Sequence, residues 1–137
     1  NIFGWNVKPG RTSSAEWIYY SLKNNQKITL FDDYVFCPIY TEYLGKIIIQ
    51  LMKLEFSGVI NVGSPSMCSK FDFGIQLAEE FGFDHELIKK GSIAGHDFDA
   101  SRSNNLMLNT QKLDDLGITA PDYKISIKKF KENQPGI

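Results

Sequence analysis

The segment between residues 41 and 81 constrains the fold most, because helical and strand-like hydrophobic patterns alternate within it. Residues 41–56 carry a helical apolar stripe wider than one packing face, so this helix must be covered on more than one side. Residues 59–62 then form a short apolar run between glycines, which is typical of a parallel strand buried on both faces. A second helical pattern follows Ser69 and ends at Gly82. The order helix, buried strand, helix predicts an α/β fold.

The rest of the chain adds shorter elements of the same two kinds. The predicted strands are a strand end at residues 1–5 and a strand over residues 27–31, followed by a loop around Pro38. The predicted helices run from Ser13 or Ser14 to Leu22, from Asn109 or Thr110 to Leu116, and over residues 121–130. Residues 91–105 are polar and aperiodic, so we expect a long loop of the kind that is often functional.

Size and composition limit the classes of function. A chain of 137 residues with 42% hydrophobic and 23% charged residues should form one folded unit. The formal net charge of −1 does not favour nucleic acid as a partner. Without an apolar run of about 20 residues or a signal peptide, we expect a cytoplasmic protein that does not span a membrane. The chain opens with Asn1 rather than Met, so we also expect it to be part of a longer protein.

The cysteines and histidines do not point to a metal site. Cys37 and Cys68 lack the spacing of metal ligands and are interpreted as reduced thiols, with a disulfide between them as the less favoured alternative. His85 and His96 belong to no zinc-binding motif, and there is no glycine-rich phosphate loop.

One local motif resembles a catalytic pair. Tyr19 and Lys23 have the Tyr-x-x-x-Lys spacing that would put a phenol and an ammonium on one helix face, where the lysine could lower the phenol pKa. The alternative is that Tyr19 packs in the core and Lys23 points to solvent, and this alternative is preferred for so short a match. Trp5 and Trp17 likewise could stack on a base or a sugar ring, or belong to the core.

A resemblance to a known family extends along nearly the whole chain. Its order and spacing are similar to those of the C-terminal half of extended short-chain dehydrogenases/reductases, in particular dTDP-4-dehydrorhamnose reductases and related NAD-dependent epimerases. The segments that carry it are residues 1–4, 28–33 with Cys37-Pro38, the helix from Thr41, 58–64, 69–71 and 102–113.

The resemblance implies that residues 1–137 are a single unit, the substrate-binding half of a longer enzyme with a Rossmann fold and a few parallel strands covered by helices. The absent N-terminal half would supply the catalytic Tyr-x-x-x-Lys and most of the binding site for NAD or NADP. Tyr19 and Lys23 fall outside the family's catalytic position, so we expect no catalytic residue in this chain. The missing half, or a second copy, would be the protein partner.

The resemblance also implies where a nucleotide sugar would bind. Arg102 matches an arginine whose planar guanidinium suits a diphosphate or a sugar hydroxyl, although an ion pair with a carboxylate such as Asp97 or Asp99 is an equal alternative. Asn105 lies in the same run. Thr12 precedes the first helix, where related enzymes place groups that face the substrate, and the preferred alternative is a plain helix cap.

A second run of the family borders the active cleft and includes Asp33, Tyr34 and Pro38. Here Tyr34 and Ile39 replace the family's Gln and Thr, which leaves the rhamnose-pathway substrate open. The leading hypothesis is the nucleotide-sugar-binding half of an NAD(P)-dependent reductase or epimerase. The alternative is a non-catalytic regulatory or binding protein on the same fold, and a third possibility is an unrelated α/β protein.

Overall fold

The computed structural model describes residues 1–6, 10–94 and 103–135. Within these residues, short strands alternate with helices along the chain. The α-helices are α1 (Ser14–Lys23), α2 (Thr41–Lys53), α3 (Lys70–Phe81), α4 (Gln111–Asp114) and α5 (Tyr123–Glu132), and a 3-10 helix covers His85–Leu87. The strands are β1 (Ile2–Phe3), β2 (Ile28–Phe31), β3 (Val35–Phe36), β4 (Ile39–Tyr40), β5 (Cys68–Ser69), β6 (Ile88–Gly91) and β7 (Asn105–Leu106).

The described strands form three small sheets in which parallel pairing predominates. Strand β1 pairs with β4 and β2 pairs with β6, both in parallel. Strand β3 lies between β7, to which it is parallel, and β5, to which it is antiparallel. Few parallel strands with helices packed over them were expected from the sequence, and this α/β class is confirmed.

The main core lies between α1, α3, α5 and the strands, and it is rich in aromatic side chains. Phe3 packs edge-on against Phe73 at 5.1 Å and against Phe130 at 5.7 Å between ring centroids. Trp5 stacks on Phe130 at 4.0 Å, and its indole N–H donates to the Phe130 carbonyl oxygen. Trp5 therefore belongs to the core. A smaller cluster joins α2 to the segment after α4, and its buried members are Ile39, Ile47, Leu113, Ile118 and Ala120.

Local capping sets the starts of α1 and α3, as predicted. The Ser13 hydroxyl accepts a hydrogen bond from the backbone N–H of Glu16, and the Glu16 carboxylate accepts one from the backbone N–H of Ser13. Ser69 and Asp72 form the same reciprocal arrangement at α3. Gly82 ends α3 with a φ of 74°, a left-handed conformation that glycine adopts without strain.

The predicted strand at residues 59–62 is wrong. Helix α2 ends at Lys53 rather than near residue 56, and Gly58 turns the chain at a φ of 114°. The next residue, Val59, is 84% exposed, whereas Ile60 and Val62 pack against the smaller cluster. The described contacts of this segment are hydrogen bonds from the Asn61 side-chain amide to the Asn109 carbonyl oxygen and from the Lys112 ammonium to the Val59 carbonyl oxygen. They replace the backbone pairing of a strand and leave one side of the segment exposed.

The described residues cover helix α2 on one side, whereas the sequence predicted cover on more than one side. Ile47 is buried in the smaller cluster, while Ile48, Ile49 and Met52 are exposed, Met52 by 72%. The sequence pattern indicated such a broad apolar face. None of the helices in the described part of the chain is long and apolar enough to cross a bilayer.

Candidate functional site

A cavity of about 270 Å³ lies between the start of α1, strand β2 and the first residue of α3. Its lining combines aromatic and aliphatic residues with two hydroxyl-bearing residues and one lysine. The lining residues are Ser14, Trp17, Ile18, Thr29, Leu30, Phe31 and Lys70. A mostly apolar cavity with few polar groups is the usual form of a small-molecule site.

The first turn of α1 is held by a buried carboxylate. Both oxygens of Glu16 accept hydrogen bonds, from the backbone N–H and the side-chain amide of Asn6 and from the backbone N–H of Ser13. The Ser13 hydroxyl also donates to the Gly4 carbonyl oxygen at 2.9 Å. These contacts fix the orientation of the helix face that carries Trp17, which is 45% exposed.

Strand β2 forms the opposite wall of the cavity. Ile28 and Leu30 are buried, whereas Thr29 is exposed and Phe31 is half-buried. The parallel partner β6 contributes Gly91, where a Cβ atom would lie 2.6 Å from the Thr29 methyl carbon. A larger residue at this position would therefore force the Thr29 side chain or the strand beside the cavity to shift.

Lys70 brings a positive charge to the cavity wall. Its ammonium nitrogen lies 3.9 Å from the centroid of the Phe36 ring and 5.9 Å from that of Tyr34. Its backbone N–H donates to the Tyr34 carbonyl oxygen at 3.1 Å, which ties the start of α3 to β3. Burial lowers the pKa of this lysine from its ordinary value. The sequence analysis missed Lys70 as a site residue, because nothing in its local pattern indicates that two aromatic rings surround it.

Two of the predicted site residues lie close together. Tyr34 directly precedes β3. Asn105 is the first residue of the parallel strand β7 and lies opposite Val35 in the register. The Val35 N–H donates to the Asn104 carbonyl oxygen at 2.8 Å. The side-chain oxygen of Asn105 accepts from the Met107 N–H, so this amide also shapes its own loop.

The other predicted residues lie in different surroundings. Pro38 is fully buried between β3 and β4, which favours a packing role over contact with a ligand. Thr12 is exposed and directly precedes the cap of α1. Arg102 lies outside the described residues.

Asp33 organises the segment that follows β6. Its carboxylate accepts hydrogen bonds from the Ser92 hydroxyl at 2.5 Å and from the Ile93 N–H at 2.8 Å. The Ser92 hydrogen bond, followed by the one from Ile93, lowers the pKa of Asp33. Within the run that was predicted to border the cleft, the Asp33 carboxylate thus stabilises the backbone after β6.

The Tyr-x-x-x-Lys motif places its tyrosine in the aromatic core. Tyr19 is buried among aromatic rings, and its hydroxyl accepts a hydrogen bond from the Gln134 amide at 2.6 Å. The Lys23 ammonium lies over the Tyr19 ring, 5.6 Å from its centroid. The packing interpretation of this motif is confirmed.

Neither cysteine has the properties of a nucleophile. Cys37 and Cys68 are both buried free thiols. Burial raises the pKa of Cys68 to about 12, so its thiol stays protonated at neutral pH. No group of three His, Cys, Asp or Glu side chains that could hold a metal ion occurs within residues 1–6, 10–94 and 103–135.

The fold is shared with several solved enzymes. The dTDP-4-dehydrorhamnose reductase of Bacillus anthracis, in complex with NADP, superposes with a TM-score of 0.85 at 18% identity over 97% of this chain and 46% of that chain. An orthologous reductase from Clostridium acetobutylicum gives 0.80 at 16% identity over 96% and 47%. The UDP-N-acetylglucosamine 4-epimerase of Bacillus cereus gives 0.74 at 13% identity over 99% and 44%.

This chain thus spans about half the length of these solved structures, and identities this low establish the shared fold alone. No curated protein sequence matches the chain. The model of the RmlD substrate binding domain family, however, matches residues 10–134. This match confirms the resemblance found in the sequence, and the chain belongs to the RmlD substrate-binding domain family.

Proposed function

We propose that this chain is the substrate-binding half of an NAD(P)-dependent reductase or epimerase that acts on a nucleotide-activated sugar. The cavity between α1 and β2 would take the nucleoside end of that substrate. The observation that carries the proposal is the lining of this cavity, in which two aromatic side chains, Trp17 and Phe31, occur together with Lys70. The family match over residues 10–134 supports it.

The cavity lining suits a nucleoside in size and in chemistry. Its volume of about 270 Å³ is near the lower end of ligand pockets, so it would hold the base and ribose rather than a whole nucleotide sugar. Aromatic side chains stack on nucleobases, and the hydroxyls of Ser14 and Thr29 provide hydrogen-bonding groups.

The sugar would extend from the cavity towards the ends of β3 and β7. Tyr34 directly precedes β3, Asn105 begins β7, and Thr12 lies before the cap of α1. We propose that Arg102 adds a charged contact to the diphosphate or to a sugar hydroxyl, as predicted from the sequence. Pro38 would support the site by packing.

This chain does not fit a nicotinamide cofactor by itself. The sequence contains no Gly-x-Gly-x-x-Gly turn that could hold a dinucleotide pyrophosphate at a helix start. We therefore assign NAD or NADP to the remainder of the longer enzyme and assign no cofactor contact to this chain. The role of this half would be to bind and orient the sugar.

Calorimetric titration of the intact protein tests the proposal. UDP-glucose and dTDP-glucose are the probes, and free glucose is the negative control. We expect binding of at least one nucleotide sugar, and a loss of about 5- to 100-fold in affinity on Trp17→Leu, which removes aromatic stacking. Tyr20→Leu is the matched control, because Tyr20 is on the same helix and is also 45% exposed, but does not line the cavity.

Two results would contradict the proposed function. The first is the absence of binding of both nucleotide sugars to the intact protein. The second is an equal effect of Trp17→Leu and Tyr20→Leu on affinity. Thermal unfolding of each variant verifies that it is folded.

A further inference from the structure

Lys70 combines a half-buried position with two aromatic neighbours. Its ammonium is partly buried against Phe36 and Tyr34, and it forms no ion pair with a carboxylate of the described residues. The ion-paired lysines of that part of the chain are Lys46, Lys90, Lys129 and Lys131.

An ammonium in this position is incompletely stabilised. Removing a charge from water costs free energy unless an opposite charge or hydrogen-bond acceptors compensate for it. The faces of two aromatic rings supply only part of that compensation, since a cation–π contact is weaker than an ion pair in a desolvated site. An anion that enters the adjoining cavity would complete it.

The nearest carboxylate on the same helix is already engaged. Asp72 accepts hydrogen bonds from the backbone N–H and the hydroxyl of Ser69, which caps α3. These bonds hold the first turn of α3, where Lys70 is the first residue. The Asp72 carboxylate is thus engaged in the helix cap and accepts no hydrogen bond from the Lys70 ammonium among the described contacts.

We propose that the ammonium of Lys70 binds a phosphate oxygen of the nucleoside diphosphate whose base occupies the cavity. This inference rests on the proposed function and makes it more specific, because Lys70 would select for the charged nucleotide over the uncharged nucleoside. A lysine suits this task as a point charge that can contact several phosphate oxygens. Lys70 would therefore be a specificity-determining residue.

Affinities of the intact protein for charged and uncharged ligands test this role. The probes are UDP and dTDP, with uridine and thymidine as the forms without phosphate. Loss of a charge-assisted hydrogen bond should weaken diphosphate binding about 10- to 100-fold in Lys70→Gln and leave nucleoside binding unchanged. Lys70→Arg, which keeps the charge, should retain most of the affinity.

Lys23→Gln is the matched control. Lys23 also lies over a tyrosine ring, but outside the cavity lining, so we expect no change in affinity. The affinity for diphosphate should fall more steeply with added salt in the wild type than in Lys70→Gln. Salt screens the attraction between the Lys70 ammonium and the phosphate, which the variant lacks. Equal diphosphate affinities of the wild type and Lys70→Gln would overturn the inference.

A measurement on the wild type makes the test independent of variant folding. NMR of ¹³C-labelled lysine follows the titration of Lys70 in the presence of UDP or uridine. We expect UDP, and not uridine, to raise the pKa of Lys70, because the phosphate stabilises the ammonium. If the pKa of Lys70 is the same with UDP as with uridine, the proposed role of Lys70 is wrong. The affinity of Trp17→Leu for nucleotide sugars would then still test binding in the cavity. Failure of the wild type to bind any of the four probes would overturn the proposed function as well.

Discussion

The ammonium nitrogen of Lys70 lies 3.9 Å from the centroid of the Phe36 ring, although the two residues are on different elements. Phe36 is buried in β3, and Lys70 begins α3. The contact brings a charge into aromatic surroundings next to the cavity. It therefore connects the stability of the free protein to the binding chemistry proposed for the site.

We expect Lys70→Met to stabilise the free protein at about pH 7 by the order of 1 kcal/mol, because it removes an uncompensated charge. Burial lowers the pKa of Lys70 in the folded state from the ordinary value of 10.5. Between the lowered pKa and 10.5 the unfolded state binds more protons, so the free energy of unfolding rises with pH. The advantage of the variant should therefore shrink as the pH approaches 10.5.

Urea unfolding at several pH values measures this difference. Lys23→Met serves as the control, because Lys23 is exposed. Parallel stability curves of the wild type and Lys70→Met across this pH range would contradict the prediction.

Gly4 and Gly45 should respond in opposite directions to substitution by alanine. A Cβ atom at Gly4 would lie 2.9 Å from Cγ2 and 3.2 Å from Cβ of Thr41, the first residue of α2. We expect Gly4→Ala to lower the free energy of unfolding by about 1–3 kcal/mol through overpacking. At Gly45, within α2, a Cβ atom has no neighbour within 4 Å, so Gly45→Ala should stabilise by about 0.5–1 kcal/mol. Chemical denaturation of both variants checks the pair, and a loss at Gly45 as large as that at Gly4 would be inconsistent with this packing.

The exposed face of α2 should cause the isolated 137-residue chain to associate. Ile48, Ile49 and Met52 form an apolar surface that another half of the enzyme or a second copy would cover. Sedimentation should show association that increases with concentration and decreases in Met52→Lys. The same change at Ile125, an exposed residue of α5, is the control and should have no effect. A wild-type chain that stays monomeric at every concentration would disprove this expectation.

The 137-residue chain alone should show no oxidoreductase activity with nucleotide keto-sugars. Its sequence has no glycine-rich turn for a dinucleotide. The tyrosine of its Tyr-x-x-x-Lys motif, Tyr19, is buried, and its hydroxyl accepts a hydrogen bond from Gln134. NADH and NADPH absorbance measures the rate. Substrate-dependent oxidation of either cofactor above the rate without protein would contradict this prediction.

The sequence by itself determined the α/β class and the starts of the capped helices. The helix starts near Ser13 and at Ser69 were readable because an N-cap serine acts on residues only three positions away, and the structure adds Glu16 and Asp72 as the reciprocal partners. The family resemblance was likewise readable, because it depends on the order of segments along the chain.

Only the tertiary structure decided which similar residues serve the core and which serve the site. Trp5 stacks on Phe130, which is distant in sequence, whereas Trp17 lines the cavity. Residues 59–62 have the composition of a buried strand but pair with no strand among residues 1–6, 10–94 and 103–135. Lys70 is identified as a site residue only from the structure, which places it in the cavity lining and its ammonium over the rings of Phe36 and Tyr34. Strand pairing, burial and cavity walls depend on contacts between distant segments, and local sequence patterns do not specify those contacts.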